Sequence, residues 1–261
     1  MDIVIRCSHD EKNLGDKPAN DFIMTTIAGQ QVKFSRLSTH DKIPSCLGIG
    51  SILHFTLKND IVWGSGFICD NEKCREKPLQ VYAVRGQLSR QMLLGQGIKC
   101  PEIYGDPALL FPRFYNPIIE KKYDLGIIPH YVDAQNENLK NFISEKVLII
   151  DIKSGYQKVI TSILSCKKIV SSALHGIIVA DAYGIPAMWL EFSDKVVGKG
   201  FKFRDYFLSV QRKDTEPLRI TNKTTLEDLY KLFYDYKIKI DLDLLLNECP
   251  FNPKGKHVNI S

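Results

Sequence analysis

Short apolar runs alternate with helix-like patterns along most of this 261-residue chain, and run after run ends in a turn of glycine and polar side chains. A parallel strand cannot be joined to the next by a tight hairpin; it needs a crossover, usually a helix, so this alternation reads as βα units around parallel sheets. In the first half the spacing predicts strands over Ile3–Arg6, Val32–Ser35, Cys46–Ile49, Asp60–Trp63, Gln80–Val84 and Glu102–Tyr104. Helices are predicted there over Lys17–Ile27 and Leu88–Gln96. The pattern restarts with strands over Leu125–Pro129, Lys146–Ile150, Lys168–Val170 and Ala187–Leu190, and helices over Asn136–Ile143, Tyr156–Leu164 and Ala173–Tyr183. Two amphipathic helices, about Thr225–Tyr234 and Leu242–Asn247, and a frayed tail over Phe251–Ser261 complete the chain. Phe111–Pro117, with two prolines and no periodicity, reads as a linker. The expected fold class is α/β: two Rossmann-like doubly wound lobes, residues 1–115 and 122–261, facing a cleft.

Ligands of such sheets bind beyond the carboxyl ends of the strands, so functional residues should sit in the turns that follow strands. The distinctive residues do sit there in sequence. Asn13-Leu-Gly15-Asp16 follows the first strand region, with Asp16 placed to cap a helix or to hold a hydroxyl. Gly48-Ile-Gly50-Ser51 and Trp63-Gly64-Ser65-Gly66 follow the third and fourth strands, the second adding an aromatic surface for stacking. Arg85 ends the fifth strand and Arg90 lies one turn into the next helix; they serve an anion or form ion pairs. Asp106 follows the sixth, ahead of Pro107. In the second half the turns are Pro129-His130-Tyr131, Asp151–Gly155 and Ser171-Ser172-Ala-Leu174-His175-Gly176. In the last of these, Ser171 or Ser172 can cap a helix whose first N–H groups favour an anion, beside an imidazole suited to proton transfer near neutral pH. Lys199–Arg204 alternates basic and aromatic residues, which reads as a strand presenting Lys202 and Arg204 on one face, either to a ligand or to solvent.

The net charge of +5 and pI near 8.7 suit an anionic substrate or loose attraction to an anionic membrane surface. Without a clustered basic patch they do not indicate nucleic acid. The seven cysteines are dispersed; Cys69 and Cys74 are the closest pair, and no second pair or nearby histidine completes a zinc pattern, so reduced thiols and no metal are expected. The opening run lacks the basic and apolar regions of a signal peptide, and no uninterrupted apolar stretch could span a bilayer. A cytoplasmic protein is expected.

Taken together, Asn13–Asp16, Val62–Phe67, Ala83–Gly86, Tyr104–Leu109, Gly126–His130, Leu174–Gly176, Asp181–Pro186 and Phe203–Tyr206 resemble the polysaccharide pyruvyl transferase family. The likeness covers roughly residues 1 to 210 in order and is strongest to the bacterial exopolysaccharide ketal-pyruvate transferases. The resemblance implies a two-lobed, GT-B-like arrangement with the acceptor on the N-terminal lobe and the donor on the C-terminal one. It implies phosphoenolpyruvate as donor, no cofactor, and a sugar diol or lipid-linked oligosaccharide as acceptor, in the cytoplasm at the inner membrane face with peripheral attachment. His175, Asp16 and Arg85 are then the expected catalytic residues. Asn13, Gly15, Gly50, Ser51, Gly64, Ser65, Gly66, Arg90, Asp106, His130, Ser171, Ser172, Leu174, Lys202 and Arg204 are the expected substrate-binding ones. One departure stands out. Many family members carry Arg-Leu-His where this chain has Ala173-Leu-His, so the donor's cation must come from Arg85, Arg90, Lys202 or Arg204. Two other readings of the same residues are a nucleotide-sugar glycosyltransferase of the same architecture and a non-catalytic sugar- or phosphate-binding regulator.

Overall fold

A computed structural model describes residues 3–8, 12–38 and 44–254; the tail predicted to fray lies outside these from residue 255 onward. The first half forms a parallel sheet of β1 (Val4–Cys7), β2 (Lys33–Arg36), β3 (Cys46–Leu47), β4 (Ile61–Trp63) and β5 (Gln80–Ala83), in the spatial order β2-β1-β3-β4-β5. The second half forms another from β6 (Tyr123–Ile128), β7 (Val147–Ile149), β8 (Cys166–Ser171), β9 (Ala187–Glu191) and β10 (Leu218–Arg219), in the order β10-β9-β8-β6-β7. Counted from its own first strand, each sheet runs 2-1-3-4-5. In that order the chain reverses its direction of travel between strands one and three, and a crevice opens at their carboxyl ends. This places the two crevices at β1/β3 and at β6/β8.

The helices are α1 (Lys17–Ala28), α2 (Gln87–Gly95), α3 (Phe111–Phe114), α4 (Tyr156–Leu164), α5 (Leu174–Ala182), α6 (Phe201–Ser209), α7 (Leu226–Lys231) and α8 (Leu242–Asn247). In α1 the buried Ala19, Ile23 and Ile27 recur at helical spacing, and Gly29 ends the helix in the left-handed region. Among the described residues no helix is long and apolar enough to cross a membrane.

Five sequence expectations are corrected. Glu102–Tyr104 makes only one bridge, Tyr104 to Val84, and Asn136–Ile143 forms a 3₁₀ turn rather than an α-helix. The stretch read as linker contains α3, whose Phe111 is fully buried and stacks on Phe22, so the extended connection begins after it. Trp63 is no stacking surface; its ring is buried and its Nε1 donates to Leu245 O at 2.9 Å, which draws α8 back onto the first half of the chain. Lys199–Arg204 is not a strand, because residues 201–209 are helix α6. Its Phe203 and Phe207 lie one turn apart and both pack against Trp189, so a helical repeat had hidden inside a short basic-aromatic alternation.

Helix α6 also joins the two halves. Its Asp205 is fully buried and reaches the first half: Oδ2 accepts from Arg85 Nε at 3.0 Å and Ser89 Oγ at 2.7 Å, and Oδ1 accepts from the Ser89 N–H at 2.9 Å. Arg85, equally buried, also donates to Ser51 Oγ at 2.5 Å and Phe67 O at 2.6 Å. The guanidinium lies so close to the Gly66 Cα that a Cβ there would fall 2.4 Å from Cζ, which excludes any side chain at that turn. Above this polar pair one continuous apolar cluster takes residues from both halves, among them Leu14, Leu110, Ile128, Ile152 and Ile177. Removing one partner of a buried pair strands the other charge, at a cost of about 3–5 kcal/mol. Asp205→Ala is therefore expected to lose about that much stability in urea unfolding, whereas Asp243→Ala, at the exposed Arg113 pair, should leave the midpoint almost unmoved.

Candidate functional site

A cavity of about 400 Å³ lies where the carboxyl ends of both sheets converge. Ser8 follows β1, Gly50 and Ser51 follow β3, and Ile68 follows β4; from the second half come His130 and Tyr131 after β6, Ile152 after β7, and Ala173, Leu174 and His175 after β8. Asn13, Gly15 and Asp16 approach from the turn before α1, and Lys202 from the first turn of α6. Both crevices thus open into one space.

His175 is held on two sides. Its Nε2 faces Asp106 Oδ2 at 3.4 Å, a close approach in which neither atom completes a hydrogen bond. Asp106 is fully buried at the start of a 3₁₀ turn, where its other oxygen accepts from the Ala108 N–H at 3.0 Å. Gly15 Cα lies against the opposite edge of the ring; a Cβ there would fall 2.1 Å from Nδ1. The side chain keeps 15% of its surface, and Nδ1 is the nitrogen left facing the cavity. The helix behind it has no side-chain cap. Ser171, expected as a cap, turns inward to Ile128 O and takes the Ala173 N–H, while Ser172 Oγ accepts from the His130 N–H at 2.8 Å. The amides that open α5, at Leu174 and His175, are left uncapped beside the cavity, which is the arrangement that attracts anions.

Lys202 and His130 share this space with His175. Lys202 is only 8% exposed; burial first, then the neighbouring Arg85 guanidinium, lowers its pKa to about 8. His130 is brought down to about 4, mainly by burial, with the Lys202 and His175 charges adding to it. An imidazole that acidic is neutral at pH 7.

The sequence-predicted residues therefore separate into groups. Asn13, Gly15, Asp16, Gly50 and Ser51 line the cavity from the first half, as do His130, Leu174, His175 and Lys202 from the second. Asn13 Nδ2 donates to Asp16 Oδ2 at 2.7 Å, which orients that carboxylate; Asp16 stands at the N-cap of α1 without bonding a helix amide. Asp106 supports His175 from behind. Gly64 packs on Pro107, Ser65 Oγ donates to Gly50 O at 2.9 Å, and Gly66 receives Arg85, so this turn shapes the floor without lining the cavity. Ser171 and Ser172 likewise build the turn beneath it. Arg85 reaches the cavity wall only through Ser51, its donors being spent on Asp205, Ser51 and Phe67. Arg90 binds Cys100 O and Glu102 at the surface, and Arg204 lies over Trp189 beside Glu216. Of the four cations proposed to replace the arginine missing at position 173, only Lys202 faces the cavity.

Sequence reasoning passed over Ser8, His54 and Phe55, all of which line it, while Tyr131 and Ile152 come from turns it had singled out. His54 follows Gly50-Ser51 at the end of β3, so the strand-end rule, carried three residues further, would have found it. Among the described residues no group of three or more His, Cys, Asp or Glu is placed to hold a metal ion. Burial pushes the Cys7 and Cys100 thiols up to about 12, far from a reactive thiolate.

The sequence pattern of a family described as polysaccharide pyruvyl transferase matches residues 39–194, a span that holds β3 through β9 and most of the cavity wall. The chain is also 32% identical over 252 residues to an uncharacterized protein of Acanthamoeba polyphaga mimivirus, an alignment covering 90% of this chain and 84% of that one.

The lowered pKa of His130 makes a separate prediction about stability. The unfolded chain binds a proton at this residue near pH 6.5, while the folded one resists it down to about 4. Stability is thus full above pH 6.5 and is lost as the pH falls through that window, by on the order of 3 kcal/mol. Thermal unfolding of His130→Gln should show a shallower loss between pH 6.5 and pH 4 than the natural chain.

Proposed function

This chain belongs to the polysaccharide pyruvyl transferase family, and on that premise we propose that it transfers a pyruvyl group from phosphoenolpyruvate to a sugar diol as a ketal. The family carries the coarser statement, pyruvyl transfer in polysaccharide synthesis. The observation that carries the finer one is the meeting, in one cavity, of His175, the uncapped start of α5 and the buried cation Lys202. A small donor bearing both a carboxylate and a phosphate answers that set of groups.

The reaction begins with a proton delivered to the methylene carbon of the enol phosphate, which leaves an electron-poor centre at the adjacent carbon. One sugar hydroxyl adds there and gives up its proton. Phosphate departs with the bonding pair, and the second hydroxyl closes the ring with loss of its own proton. In its doubly protonated form, with Nε2 turned to Asp106, His175 is the proposed proton donor through Nδ1, and Asp106 and Gly15 hold the ring from either side. A positioned acid of this kind contributes about 10²–10⁴-fold to rate. Lys202 and the amides of Leu174 and His175 are the proposed donor grip, set in advance against the negative charge. Asp16, oriented by Asn13, is the proposed holder of an acceptor hydroxyl. The two sheets serve as donor and acceptor lobes in this reading, with the cavity between them.

Mass spectrometry of methyl glycosides incubated with the protein and phosphoenolpyruvate tests the proposal: a ketal-linked pyruvate and released phosphate are expected. Stabilisation by a nucleotide sugar instead of phosphoenolpyruvate in a thermal-shift screen would move the assignment to glycosyl transfer, a reading that Ala173 in place of arginine keeps specific. His175→Gln should fold normally and lose turnover by about 10²–10⁴-fold. For Lys202 the sign is fixed by its proton. The ammonium is present below about pH 8 and lost above it, so kcat/KM for the donor should fall on the alkaline side of that value. Lys202→Arg should remove this alkaline limb, since a guanidinium stays charged. Lys202→Met should weaken donor binding at pH 7 by roughly 10- to 150-fold, the worth of a charge-assisted hydrogen bond.

A further inference from the structure

A second histidine–carboxylate pair faces the same cavity with its imidazole turned the other way. His54 sits in the 3₁₀ turn Leu53–Phe55, and its Nδ1 lies 3.2 Å from Glu72 Oε1. Nδ1 is buried and does not complete an in-line hydrogen bond, but the side chain as a whole keeps 26% of its surface. The exposed part is therefore the edge that carries Nε2, and His54 lines the cavity. Glu72 is itself fixed: its Oε2 accepts from the backbone N–H of Ile68 at 2.9 Å and of Cys69 at 3.4 Å. Burial works against its charge, yet the His54 contact and these amides outweigh it and keep the carboxyl below its usual range. The ring of His54 also leans on Phe55, with centroids 4.0 Å apart. A carboxylate behind Nδ1 selects the tautomer with Nε2 unprotonated, which is the acceptor form of imidazole.

Ketal formation needs such an acceptor, and the other nitrogen bases around the cavity do not supply it, while the Asp16 carboxylate takes the Asn13 amide and is the weaker base of the two groups on the acceptor side. His175 is engaged with the donor's methylene carbon, Lys202 is a cation, and His130 is too weak a base once its pKa stands at about 4. We propose that His54 is the general base that takes the proton from the attacking acceptor hydroxyl, with Glu72 as its positioning residue. The assignment rests on the ketal-transfer reading above and deepens it. The balance is complete without any further reactant. His175 gives one proton to the methylene carbon, and the new C–O bond releases the first hydroxyl's proton to Nε2 of His54. The C–O bond to phosphate then breaks with its electron pair on oxygen. The second hydroxyl's proton returns to His175, and the proton held by His54 leaves on the phosphate. Acid and base thus come from opposite halves of the chain, which places the donor carbon between them.

The test uses the full chain with phosphoenolpyruvate and a panel of methyl glycosides, reading donor affinity by calorimetry and ketal formation by mass spectrometry. His54→Gln is expected to keep its circular dichroism spectrum and its phosphoenolpyruvate affinity while kcat falls by about 10²–10⁴-fold. Glu72→Gln is expected to lower kcat less, again without a change in donor affinity. His54→Ala should recover part of its rate when imidazole is added, a response that a purely structural histidine would not give. Unchanged kcat in His54→Gln, or a loss that appears only as weaker donor binding, overturns the base assignment and leaves the ketal-transfer reading standing. Failure of the natural chain to bind phosphoenolpyruvate, or to form a ketal on any glycoside of the panel, overturns that reading and the base assignment with it.

Discussion

Asp205 and Arg85 meet at full burial, one from each half of the chain, and the placement of the cavity follows from that contact. Two charges withdrawn from water tolerate little displacement, because each lost hydrogen bond inside a low-dielectric interior is costly. Here the carboxylate takes bonds from Arg85 Nε, Ser89 Oγ and the Ser89 amide, and the guanidinium spends its remaining donors on Ser51 and Phe67. Ser51 is itself a wall of the cavity. A single network therefore fixes α6, the start of α2 and the turn after β3 relative to one another, and α6 brings Lys202 to the cavity.

The cavity is also electrically prepared. Lys202 is buried beside a second cation, Arg85, and His130 sits near both Lys202 and His175, so positive charge in this space opposes further positive charge. An anion entering the cavity relieves that opposition, and the amides at the start of α5 add to the attraction. Crowding these cationic groups costs stability, which the apolar cluster shared by both halves offsets. Two of the carboxylates are set differently, whereas Asp16 lines the cavity itself. Asp106 and Glu72 stand behind the imidazoles instead of opposite the ligand space, so they orient the rings without repelling an anionic donor.

Much of the architecture was legible because strand and helix periods are local properties. Helix α4 begins and ends where its apolar spacing says it should, and each observed strand but β10 overlaps a predicted one. Strand β10 is two residues long at a sheet edge, too short to carry a pattern. Helix α6 was misread for a different reason: nearly every side chain in it is buried, so no polar face marked its period.

The amino-acid order by itself determined two parallel α/β units and the rule that their chemistry lies after the strands, because each strand, turn and helix start is written in neighbouring residues. It also pointed to His175, Gly15 and Asp16 as companions. Which charged groups face the ligand space was decided only by tertiary structure. Arg85, Arg90, Lys202 and Arg204 are equivalent as letters, yet one is neutralised by Asp205, two turn toward the surface, and one opens into the cavity. Glu72 stands behind His54 although eighteen positions separate them, and Asp106 behind His175 although the two lie in different halves. Such pairings depend on how two sheets are packed, and packing is a sum over distant contacts that no local pattern of residues encodes.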